Sequence, residues 1–217
     1  MGAPSMQRGW SLIELMIGIV IGLFVAGGAG TLLVGQLREN RALLNDARLM
    51  QDLRTATDLI TRDLRRSGHW GAATDTARSN PYAAAAPAAA ASDAVSLRYS
   101  MDATENNLVD ANEQFGFRLR AGVIELQLGA GNWQALTDAG TLTITAFSVT
   151  PEPQDINLAA FCPTACAAGS ATCPPHQQVL SFAVLVSARL TSDTAVTRTL
   201  RSQVRLRNDS IVGACAV

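Results

Sequence analysis

The 217-residue chain contains no lysine: all 17 basic side chains are arginine, set against 18 acids for a formal net charge of −1. That balance excludes a chain drawn to nucleic acid by its overall field, and 48% hydrophobic residues exclude a disordered tail. Four cysteines are too few for a disulfide-dense miniprotein, and two histidines leave little room for a histidine-rich metal site. The most informative absence is local. From Leu15 to Gly35, LMIGIVIGLFVAGGAGTLLVG, no residue carries a charge. As a helix this run rises about 31 Å, one bilayer core.

What surrounds the run gives it direction. A short polar leader with one charge, Arg8, places positive charge on the cytoplasmic side, so everything after Gln36 is expected outside the cytoplasm. Glu14 stands at the head of the run, where an ionised carboxylate costs about 2.5 to 3.5 kcal/mol in hydrocarbon, so it needs a partner or a role. A cut between Gly9 and Trp10 would create an α-amino group four residues from Glu14, on the same helix face. That amine suits Glu14 of its own or a neighbouring chain, and an apolar setting strengthens the pairing.

The stretch Arg8-Gly9-Trp10-Ser11-Leu12-Ile13-Glu14-Leu15-Met16, followed by an uncharged apolar segment, resembles the processing and methylation signature of type IV prepilins and pseudopilins. The resemblance implies that a membrane-embedded prepilin peptidase cuts after Gly9 and methylates the new N-terminus at Trp10, where the family usually has Phe. The apolar segment then stays on the mature chain, first as membrane anchor and later as filament core. Glu14 becomes the fifth mature residue. An ordinary signal peptide cut near Ala26 to Gly30, or an uncut signal anchor, leaves Glu14 beside a Gly-aromatic pair without explanation.

Gln36 to Arg66 contains no Pro and no Gly. Leu43, Ala47, Met50, Leu53, Thr57, Ile60 and Leu64 recur at spacings of three and four, predicting an amphipathic helix with one apolar stripe. Its other faces, including Asp58, Arg62, Asp63, Arg65 and Arg66, carry mixed charge suited to solvent, with Asp58 and Arg62 at a favourable spacing of four. Ser67-Gly68 supplies the stop. Trp10 to Arg66 as one helix would span about 85 Å. The 151 residues from Ser67 would fold to a radius of gyration of about 15 Å, making a lollipop. Gly18 and Gly22 have the spacing that permits close helix contacts.

Arg62-Asp63-Leu64-Arg65-Arg66-Ser67-Gly68-His69-Trp70-Gly71 resembles the end of the stalk helix in PilW-like minor pilins, more than in the J-type minor pseudopilins of type II secretion. Trp70 is expected to fill the joint between helix and head. His69 has no second ligand at metal spacing. Thr74 to Ser92 is an Ala/Pro-rich linker, expected as an exposed loop that buries little. Strand patterns follow at Ala94 to Ser100, Phe115 to Arg120, Val123 to Leu128, Asn132 to Leu136, Thr141 to Thr150, Val179 to Thr191 and Ala195 to Leu206. The last two read as a long hairpin closed at Ser192-Asp193-Thr194, ending in a stretch that resembles the C-terminal strand of minor pilins. Arg198, Arg201, Arg205 and Arg207 make that hairpin basic, but no clustered aromatics accompany them, so no nucleic-acid partner is expected.

Cys162, Cys166, Cys173 and Cys215 all lie in the head, three of them in a Pro/Ala/Gly-rich loop. In an oxidising periplasm they read as two disulfides with three possible connectivities, with a preference for Cys215 tying the C-terminus to the loop. The spacings of four and seven lack the paired pattern of a zinc site, and His176 is the one nearby base for cysteine chemistry.

These readings converge on an α+β chain: leader 1–9, transmembrane and filament-core helix 10–35, stalk helix 36–66, and an antiparallel β-rich periplasmic head 67–217 with linker 74–92. The resemblance implies a non-enzymatic minor pilin without cofactor or metal, whose partners are prepilin peptidase, other minor pilins, the major pilin and the inner membrane. The expected location is the inner membrane as a single pass, then the pilus. The other roles weighed are a minor pseudopilin of a secretion pseudopilus and an anchored adhesin or DNA-uptake module.

Overall fold

The computed structural model describes residues 11–75, 77–82, 93–170, 172–207 and 209–216. The Gly9–Trp10 bond and the Ala83 to Ala91 run lie outside the described residues. The chain divides into two compact units, residues 1–47 and 48–217, and one helix, α1 (Leu12–Arg66), contributes to both.

In the first unit α1 is long and apolar enough to cross a membrane, and from Ser11 to Leu44 every side chain is exposed. Leu43 and Ala47 are exposed too, so the buried stripe begins later than the periodicity suggests. In the second unit Leu49, Leu53, Ala56, Thr57, Ile60, Thr61, Asp63 and Leu64 are buried. The stripe thus keeps a spacing of three and four from Leu49 onward, where β-sheet covers it. Asp63, assigned to the solvated face by sequence, is buried, and Arg62 approaches it at 3.8 Å instead of pairing with Asp58. Ser67-Gly68 ends the helix: Gly68 takes φ +77° and its N–H donates to the Arg98 carbonyl at 2.8 Å.

Two antiparallel sheets pack with this part of α1. The first has the order β1 (Ala94–Arg98), β2 (Gln114–Arg120), β3 (Val123–Leu128), β4 (Trp133–Ala135). The second runs β5 (Leu142–Asn157), β6 (His176–Leu190), β7 (Thr197–Arg205), with β8 (Ser210–Val212) also pairing β6. Phe115, Phe117 and Ile124 from the first sheet meet Val149, Phe182, Val184 and Val204 from the second, around Leu53, Ile60 and Leu64.

Two strand boundaries, the end of β5 and the start of β6, differ from the sequence reading by several residues for identifiable reasons. β5 continues to Asn157 through Pro151 and Pro153 because it is an edge strand, where a missing N–H costs no ladder bond. A register shift between Ile144 and Ala146 lets Leu142 and Ile144, then Phe147 and Val149, all point inward. β6 begins three residues early, at His176, because β8, a strand too short to show in the pattern, pairs with His176 to Gln178. The β2–β3 turn falls at Ala121-Gly122, both with positive φ, +50° and +77°, the two-residue hairpin geometry that matches strand twist.

Candidate functional site

At the N-terminal end Glu14 sits in the first turn of α1, exposed, with its N–H donating to the Ser11 carbonyl at 3.0 Å. It is the one acid between Ser11 and Leu37. A Cβ built on Gly18, Gly22, Gly27, Gly28, Gly30 or Gly35 meets nothing within 4 Å, so these positions leave room for another helix to approach. The helix thus presents an apolar surface with a single carboxylate near its start.

A second polar arrangement lies in the head, and sequence reasoning missed it. Tyr82, in the linker expected to bury little, is fully buried, and its hydroxyl lies 2.9 Å from Glu113 Oε2, 2.9 Å from the Leu108 carbonyl and 3.3 Å from Glu105 Oε1. Burial first, and then the Glu113 carboxylate, push the phenol well above the usual tyrosine range, so it stays a donor. Glu113, equally buried, accepts from the backbone N–H of Met101 at 2.7 Å and of Asp110 at 2.9 Å. Glu105 accepts from the N–H of Gly71 and of Asn107. Burial raises its pKa, but hydrogen bonds led by Ser100 outweigh this and hold it below the usual carboxylate range. Trp70 Nε1 donates to Asn107 Oδ1 at 3.0 Å, and Asn80 Nδ2 to the Gly68 carbonyl at 2.8 Å. The loop 100–113 therefore clamps the segment leaving α1, with Trp70 buried in the joint. The available signal was Tyr82 itself, a lone aromatic beside an alanine run.

The four cysteines form two bridges, Cys162–Cys215 and Cys166–Cys173. The first closes 53 residues and ties the C-terminal segment to the loop before β6. His176 hydrogen-bonds Asp155 at 2.9 Å and has no free thiol to activate. Among the described residues no group of three His, Cys, Asp or Glu is placed to hold a metal ion. His69 is exposed beside the end of α1. The arrangement offers an anchor, a clamped joint and a stapled head.

An apolar helix headed by a methylation-type motif and joined to an antiparallel head defines a pilin-like protein processed by prepilin peptidase. The prokaryotic N-terminal methylation motif matches residues 4–30. The profile described as prepilin peptidase-dependent protein B matches residues 42–206, and the chain belongs to that family. No curated protein and no solved structure matched the chain.

Proposed function

We propose that the chain is a minor type IV pilin of the PilW-like kind, with a structural and not a catalytic role. Prepilin peptidase cuts it between Gly9 and Trp10 and methylates Trp10. Residues 10–35 anchor it in the inner membrane as a single pass, with the stalk (36–66) and head (67–217) on the periplasmic side. There it joins other minor pilins, primes polymerisation of the major pilin, and ends at or near the filament tip. Glu14 pairs with an N-terminal amine as subunits stack.

The observation that carries this reading is one helix that holds an uncharged membrane-length segment with a lone carboxylate at its start and a clamped, disulfide-bridged head at its end. Mass spectrometry of the membrane-extracted protein tests it. The expected N-terminus is Trp10 carrying one methyl group; retention of Met1 to Gly9, or a cut near Ala26 to Gly30, sinks the reading. Co-purification with other minor pilins tests the priming role, and a null strain with normal piliation would count against it.

A further inference from the structure

The end of α1 and the end of β7 bring together cations that are far apart in the sequence. Arg62, Arg65, Arg66, His69 and Arg207 line a cavity of about 230 Å³. Arg65 and Arg207 recur in a neighbouring cavity of about 460 Å³, with Arg205 and Leu206. The end of a helix favours cations, which accounts for part of the clustering at Arg65 and Arg66. Internal partners account for more: Arg66 lies over the Tyr99 ring at 4.3 Å, Arg205 pairs with Asp209 at 2.6 Å, and Arg62 approaches Asp63 at 3.8 Å. Among the described residues neither Arg65 nor Arg207 has an acidic partner. Holding them beside three more guanidiniums costs repulsion that an external anion would relieve.

The guanidinium fork suits carboxylate and phosphate alike. Single-stranded nucleic acid also needs exposed aromatic faces for stacking. Here Tyr99 is 3% exposed, and its two faces are taken by Arg66 and by Phe115, whose ring centroid is 4.1 Å away, which leaves His69 as the single exposed ring in the cavity lining, too few for a stacking platform. We propose that the cavities shared by Arg65 and Arg207 bind an acidic, carboxylate-bearing segment of a neighbouring pilin-like subunit. The partner's identity as a subunit rests on the function proposed above; the anion site does not.

The test uses the full chain in neutral-detergent micelles and a fluorescent oligoglutamate peptide, followed by anisotropy. Binding should weaken as salt rises. Arg65→Gln/Arg207→Gln should weaken it about tenfold, the loss of two partly exposed pairs. The equally charge-reduced Arg120→Gln/Arg189→Gln should stay within about twofold. No peptide binding, equal loss in both variants, or tighter binding of oligo-dT or of phosphatidylglycerol vesicles at the same Arg pair overturns the proposal. Should the Gln pair fail to fold, Arg65→Lys/Arg207→Lys keeps the charge and loses the fork, with about threefold weakening expected; unchanged binding by that variant overturns it too. A chain correctly cut after Gly9 that ignores the peptide sinks this site and leaves the pilin reading standing, while an uncut chain that binds it does the reverse.

Discussion

Ala121 occupies a position for which alanine is poorly suited. At φ +50° its Cβ crowds the backbone, at a cost of about 1 kcal/mol that asparagine largely escapes. Ala121→Asn should therefore raise the unfolding free energy of the head by about 0.5 to 1 kcal/mol, read by thermal or denaturant unfolding. Gly122→Ala should move the other way by more than about 1 kcal/mol. It adds a Cβ at φ +77°, and that atom would lie 2.8 Å from Thr143 Cγ2. Two carboxylates give opposite pH signatures. Burial raises the pKa of Asp63 against the pull of Arg62 and Arg66, so its ionisation costs stability as pH rises through the carboxylate range. Glu105 has a depressed pKa, so its contribution is present above the unfolded value and is lost as pH falls through the folded one. Asp63→Asn should raise the thermal midpoint at neutral pH and lose that advantage in acid. Glu105→Gln should lower it at neutral pH and flatten its fall below the usual carboxylate range.

Among the elements, the two bridges should differ in weight. Loop closure assigns about 4 kcal/mol to Cys162–Cys215, which closes 53 residues, and about 2 kcal/mol to Cys166–Cys173, which closes seven. Replacing the first pair by serine should therefore lower the denaturant midpoint of the head more than replacing the second; equal effects would contradict the chain-entropy account. How legible these elements were in sequence depended on how local their causes are. The end of α1 at Arg66 could be read because Ser67-Gly68 is a nearest-neighbour signal, and β3 because Val123 to Leu128 alternates between turns. β5 beyond Thr150 could not, since Pro151 and Pro153 are tolerated only through the strand's place at a sheet edge. Its parity change, from Leu142 and Ile144 to Phe147 and Val149, was written in the sequence as the trace of a bulge. The Tyr82–Glu113 contact spans 31 residues and the Arg65–Arg207 cluster far more, so no local pattern carries them. The processing motif was legible because its chemistry is confined to one short stretch.

Considered as a whole molecule, the chain keeps a near-neutral total while placing a single charge, Glu14, among the residues from Gly9 to Leu37. That placement permits a test in which anchoring, cutting and assembly respond differently. Glu14→Ala removes an insertion cost of about 2.5 to 3.5 kcal/mol, so the variant should enter the membrane at least as well as the natural chain. The cut after Gly9 should remain largely intact, giving the same mature N-terminus by mass spectrometry. Incorporation into pili should nevertheless fall by about tenfold or more, because an amine–carboxylate pair in an apolar setting is worth at least about 1.4 kcal/mol. Glu14→Gln keeps size and hydrogen bonding without the charge, so a defect as deep as that of Ala assigns the effect to the ion pair. Cleavage and anchoring retained with incorporation lost is a combination that poor insertion cannot produce. Normal piliation in either variant would remove Glu14 from the assembly step and leave its cost in the membrane without a return.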